Sequence, residues 1–162
     1  MTSTKSVKKQ KLLVCVGNGE HSLTALKFAC SKAKKADFAI EIINVIDTIS
    51  NVQDSVFGID DILKKEKRAE TEAMLTSYAD KIYEWSSIRP VINMREGFIF
   101  EEIKDTVESD NNISMIILSA SPESTSNGKL IPYLVEQLSL KLFIPLMIVP
   151  NNLTEAQIDK IS

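Results

Sequence analysis

Histidine occurs once in this chain, at His21, and cysteine twice, at Cys15 and Cys30. One imidazole and no close cysteine pair leave no spacing suited to a structural zinc site. No Ser/His/Asp or Cys/His set can be assembled beyond His21. The two cysteines sit in a strand-like and a helix-like segment and read as small buried hydrophobes of a reducing compartment. No apolar run approaches the ~18 residues of a membrane span, and Leu12 to Val16 is too short for a signal-peptide core, so a cytoplasmic location is expected. Nor does either charge sign dominate: 19 basic and 22 acidic residues give a net charge of −3. Such a balance offers nucleic acid or an anionic membrane no general attraction.

The 162 residues fit one domain, long enough to bury roughly 70% of its unfolded surface without staples. Apolar runs at Leu12 to Val16, Phe38 to Ile46, Ile113 to Leu118 and Leu146 to Val149 read as strands, and Arg89 to Met94 alternates like a strand near a sheet edge, with Pro90 at its start. Helical spacing fills the intervals. Leu23, Leu26, Cys30 and Ala33 mark one apolar face, and Ile62, Ala69, Ala73, Met74, Tyr78, Ile82 and Trp85 mark a second. Phe98, Ile103 and Val107 mark a third, and from Lys129 onward Ile131, Leu134, Leu138 and Leu142 give a fourth, with Pro132 suited to its first turn. Strict alternation of strand and helix predicts an α/β, Rossmann-like fold: a doubly wound parallel sheet with helices on both faces. Residues 1–10 are expected to form a disordered basic tail, 11–150 the domain, and 151–162 a C-terminal tail that docks or frays.

Ligands in such sheets lie beyond the carboxyl ends of the strands. Two loops occupy that place. Gly17, Asn18 and Gly19 follow the first strand; the glycines permit close backbone approach and Asn18 can cap the next helix, or the three simply make the turn. The stretch from Ser119 to Gly128, followed by Lys129, is rich in hydroxyls. Ser119, Ser121, Ser126, Asn127, Gly128 and Lys129 can hold an anion at a helix N-terminus, or form an ordinary solvent loop. A third segment, Asp47 to Gly58, is long enough to fold over a site or a partner.

KLLVCVGNGEHSLTALKFAC, INVID, REGFIFEEI, ISMIILSAS and FIPLMIVP together resemble the universal stress protein family from Lys11 to Pro150. The resemblance implies a five-stranded sheet of order 3-2-1-4-5. It also implies a homodimer in which the last strands pair, here through Leu146, Met147, Ile148 and Val149. Nucleotide-binding members carry Gly, two residues, Gly, nine residues, then Gly and Ser or Thr; the matching positions here are Ser119, Pro122, Pro132 and Tyr133. No glycine remains, and the acidic residue that such members place after the first strand is Gly17. A proline has no N–H for a phosphate, and Tyr133 puts a ring where a small hydroxyl belongs. The expectation is therefore a dimeric stress-response module that works through protein contacts, with no cofactor. The alternative is a binder of ATP, another adenine nucleotide or a phosphometabolite, even a slow ATPase, through the two loops.

Overall fold

The structure is a computed structural model that describes residues 8–48, 60–121, 126–138 and 142–162. The chain runs β1 (Lys11–Cys15), α1 (His21–Ala36), β2 (Ala39–Asp47), α2 (Asp60–Ser86), β3 (Val91–Gly97), α3 (Ile99–Ser109), β4 (Ile113–Ser119), α4 (Ser126–Tyr133), β5 (Leu146–Val149) and α5 (Glu155–Ile161). All strand pairs are parallel, in the order β3-β2-β1-β4-β5, as the alternation and the resemblance require. No helix among the described residues is long and apolar enough to cross a membrane.

Leu12, Leu13 and Val14 of β1 are wholly buried because both faces of the sheet are covered. Leu12, Val14, Ile40, Ile42 and Ile117 face α1, α2 and α5, while Leu13, Cys15, Ile43, Val45 and Ile116 face α3 and α4. Pairing of β1 with β4 slips between Lys11 and Leu12, leaving Ser114 as an extra residue. The slip lets Ile113 and Ile116 point to the same side although they are three residues apart.

Several local expectations change. The buried face of α2 is Thr71, Leu75, Tyr78 and Ile82, with Met74 and Trp85 packed beside it, as expected for Met74, Tyr78, Ile82 and Trp85; Ile62 and Ala69 lie in the stretch 61–70, where every residue is exposed, and Ala73 is exposed as well. Phe98 is the exposed N-cap of α3; Ile103 and Val107 are buried as expected, and Ile99 and Thr106 join them. Pro132 lies inside α4, which starts at Ser126, rather than in a first turn. With no N–H at Pro132 the α-helical ladder is broken, and the chain continues as a π-helical turn from Leu134 to Leu138. Gln10, expected in the basic tail, is tied to the sheet: its carbonyl accepts from the Ala39 N–H at 2.8 Å and its side chain from the Ser114 hydroxyl at 2.5 Å. The C-terminal segment docks. Thr154 and Gln157 form a capping box, Ile158 is buried, and Lys27 and Lys35 of α1 pair with Glu155 and Asp159 at 3.3 and 3.4 Å. The proposed contact segment Asp47 to Gly58 lies outside the described residues from position 49 onward.

Neither cysteine is in a disulfide and both are buried, and burial pushes their thiols up, Cys15 to about 12 and Cys30 to about 11. At about pH 8 an aromatic disulfide reagent is expected to label them only after denaturation; fast labelling of both in the native protein would contradict their burial. Gly97 closes β3 with a φ of +147°, and a Cβ there would stand 2.7 Å from Glu102 Oε1, the carboxylate that pairs with Arg95 at 2.6 Å. Gly97→Ala is expected to cost about 1–3 kcal/mol in urea unfolding, and wild-type stability would refute the strain.

Candidate functional site

Strand order reverses between β1 and β4, so α1 and α4 leave the sheet on opposite faces and a crevice is expected beyond these two carboxyl ends. The turn after β1 and the end of β4 lie side by side there, because the two strands pair in parallel up to Cys15 and Leu118.

The β1 side is occupied by the protein's own hydroxyls. The Gly17 N–H donates to Ser22 Oγ at 3.0 Å, and the same hydroxyl donates back to the Gly17 carbonyl at 3.0 Å. That carbonyl also accepts from Tyr78 Oη, on α2, at 2.8 Å. One residue earlier, Asn44 Nδ2 donates to the Val16 carbonyl at 2.7 Å, and the Val16 N–H pairs with Ile43. Burial pushes the Tyr78 phenol up, against the opposing pull of Ser22, so it stays a donor. Asn18 caps nothing: the N-cap of α1 is Glu20, with no side-chain cap bond, and Asn18 and Gly19 are exposed. Gly19 takes a φ of +112°, which is the reason a glycine suits that position.

On the β4 side Ser119 is fully buried, its hydroxyl 3.2 Å from Ser121 Oγ, which also lies 3.3 Å from the Ser119 carbonyl. Ser126, Asn127, Gly128 and Lys129 form the first turn of α4, while positions 122–125 lie outside the described residues. The Tyr133 ring stacks on Phe100 of α3, centroids 4.0 Å apart and planes 14° from parallel.

A second set of bonds crosses the crevice. Asn151 Nδ2, just past β5, reaches His21 Nδ1 at 2.8 Å and the Ala120 carbonyl at 3.4 Å, and Thr24 Oγ1 donates to the Asn151 carbonyl at 3.2 Å. Sequence reasoning missed Ser22, Tyr78 and Asn151 because their partners are distant or lie in loops. Asn44 left a signal, a polar amide inside an apolar strand. Among the described residues no three His, Cys, Asp or Glu side chains converge on a metal position. Two cavities lie elsewhere: one of about 280 Å³ between α1 and α5 beside Trp85, the other of about 680 Å³ at the opposite end of the sheet.

The family model of universal stress proteins matches residues 9–150. The chain belongs to the universal stress protein family. Solved structures give the same fold. Universal stress protein UspA from Lactobacillus plantarum is 16% identical at a TM-score of 0.68, covering 89% of this chain and 99% of its own. A universal stress protein from Burkholderia pseudomallei is 16% identical at 0.65, covering 90% and 98%. Another universal stress protein, solved in complex with cAMP, is 16% identical at 0.58, covering 89% and 98%. Among curated proteins no sequence matches.

In this universal stress protein the Gly17 carbonyl keeps Ser22 when Tyr78 is removed as a donor. Tyr78→Phe is therefore expected to cost about 0.5–1.5 kcal/mol in chemical denaturation, the worth of one hydrogen bond. A cost above that range would mean that Tyr78 holds more than this carbonyl.

Proposed function

We propose that the chain is a dimeric universal stress protein module that acts in the cytoplasm through protein contacts in a stress response, without binding ATP in the manner of the family's nucleotide-binding members. The observation that carries this reading is the state of Gly17. Where such members place an acidic side chain, the backbone N–H and carbonyl are already bonded by Ser22 and Tyr78. A ligand would have to break these bonds and leave buried polar groups without partners. The family's last motif positions, Pro132 and Tyr133, support the same conclusion, because they lie at the end of α4 and not at its start.

For the dimer, β5 is the edge of the sheet, four residues long, with Ile148 38% exposed and Phe143 just before it fully exposed. An apolar edge strand invites pairing, and a two-fold axis through β5 would cover it with a second copy of itself.

The rival reading is a nucleotide or phosphometabolite binder, with Gly17, Asn18 and Gly19 facing Ser119, Ser121 and the first turn of α4. It is favoured by the hydroxyls gathered at the strand ends and by the free N-terminal amides that any helix start offers.

Calorimetric titration of ATP, ADP, AMP and cAMP with Mg²⁺, run beside light scattering on the wild type and Ile148→Asp, decides between them. The expected result is no saturable heat, a wild-type mass twice that of the chain, and a monomeric variant. Saturable micromolar binding would overturn the first reading, and a monomeric wild type would overturn the dimer.

A further inference from the structure

Helix α5 lies beyond residues 9–150, the part that the universal stress protein model matches, and it is seated on α1. We infer, on the protein-contact reading above, that the α1 face beneath it is a docking site for an acidic amphipathic helix of a partner protein, and that α5 holds this site in cis.

The receiving face is a single stripe. Lys27, Cys30, Ser31, Lys34 and Lys35 recur at spacings of three and four, so they share one side of α1, and Trp85 of α2 stands beside them. The Lys27 ammonium lies 5.4 Å from the centre of the Trp85 ring. A thiol and an indole in the middle with cations at both ends make a surface that takes a helix by its apolar face. Charge chooses an acidic one, because α1 and α2 bring three lysines and no carboxylate to this stripe.

The docked α5 shows what fits. Glu155, Ile158, Asp159 and the C-cap Ser162 recur at the same spacings. Glu155 pairs with Lys27 at 3.3 Å and Asp159 with Lys35 at 3.4 Å, while Ile158 is buried. Ser162 Oγ lies 2.5 Å from Ser31 Oγ and 3.3 Å from Lys35 Nζ. The pattern recognised is therefore acid, two residues, apolar, acid.

The fit in cis is incomplete. A cavity of about 280 Å³ stays open between the two helices beside Trp85 and Cys30, and Lys34 makes no ion pair among the described residues. Of α5 only Ile158 is buried, and the side chains of Glu155 and Asp159 are 84% and 81% exposed. Ion pairs so exposed hold little against water. A longer helix with a larger apolar side chain and a third acid would fill the cavity, meet Lys34 and displace α5. A second copy's α5 brings nothing that the tethered one lacks, and the tether favours the latter.

The test is a titration of the full chain with a synthetic peptide of residues 151–162, followed by ¹⁵N NMR and by the emission of Trp85, the only tryptophan of the chain. A segment seated in cis at a roughly millimolar effective concentration implies about millimolar affinity in trans. In the wild type the peptide competes with α5. In Ile158→Asp, which removes the cis anchor, it is expected to bind at least about tenfold more tightly and to shift the amides of Cys30 and Ser31. A peptide carrying Glu155→Lys and Asp159→Lys is expected not to bind, and to bind once Lys27→Glu and Lys35→Glu reverse the stripe. The proposal is overturned by no saturable change in Ile158→Asp at ~10 mM peptide, by equal affinity in wild type and variant, or by equal binding of the two peptides to one chain. A mass for Ile158→Asp above that of the wild type would give the face to a second copy and overturn it too. Should Ile158→Asp not fold, Glu155→Lys with Asp159→Lys frees α5 by repulsion from Lys27 and Lys35, and unchanged peptide affinity there overturns the proposal. Each of these failures strikes the α1 face alone, whereas the reading beneath it falls to saturable nucleotide heat in the calorimetric titration.

Discussion

Everything in this molecule is arranged about β1. It is the central strand, flanked by β2 and β4, and from Leu12 to Val16 no residue is more than 2% exposed. Each of those apolar side chains is worth roughly 1.5–3 kcal/mol by burial. That constraint fixes the reversal of strand order beside β1, and so fixes where a ligand crevice must open. Whether the crevice is available then depends on one turn. In this universal stress protein the turn at Gly17 is closed from within, by a hydroxyl from α1 and a phenol from α2.

The closure couples elements that the chain separates widely. Ser22 is five residues from Gly17, but Tyr78 is 61 away, so the bond to Tyr78 exists only once α2 has packed on the sheet. The same is true of Asn151, which joins α1, β4 and the docked C-terminal segment. The carboxyl end of the sheet is thus cross-linked by side chains. Its amino end holds a polar cavity at whose rim Lys9 pairs with Asp37, Arg95 with Glu102, and Lys11 with Glu41 and Asp110.

Much of the fold was legible in the sequence because a buried parallel sheet leaves near-continuous apolar runs. The five strands follow from those runs, while their order came with the resemblance to the universal stress protein family. The expected face of α2 holds at Met74, Tyr78, Ile82 and Trp85 and fails at Ile62, Ala69 and Ala73, because residues 61–70 are exposed and Ile62 there is as apolar as a core residue. Thr71, which is buried, looked like surface. Pro132 was read as a helix start because proline prefers the first turn, and only the structure shows α4 beginning six residues earlier. The docking of 151–162 was left open, since Leu153, Ile158 and Ile161 are too few to fix a helix without their partner α1.

For the site, that Gly17 and Ser119 lie at the same end of neighbouring strands was legible in the sequence. What fills the space was not. Hydroxyls on helices carry no periodic signal, and Ser22 and Tyr78 read as a polar position and a core aromatic.

The sealed turn at Gly17 is tested most directly by amide hydrogen exchange in the native protein. Bonded to Ser22, the Gly17 N–H is expected to exchange at least about a hundredfold more slowly than that of its exposed neighbour Asn18, and to lose this protection in Ser22→Ala. A Gly17 amide that exchanges as fast as Asn18 in the wild type would mean that the turn is open, and would contradict the account.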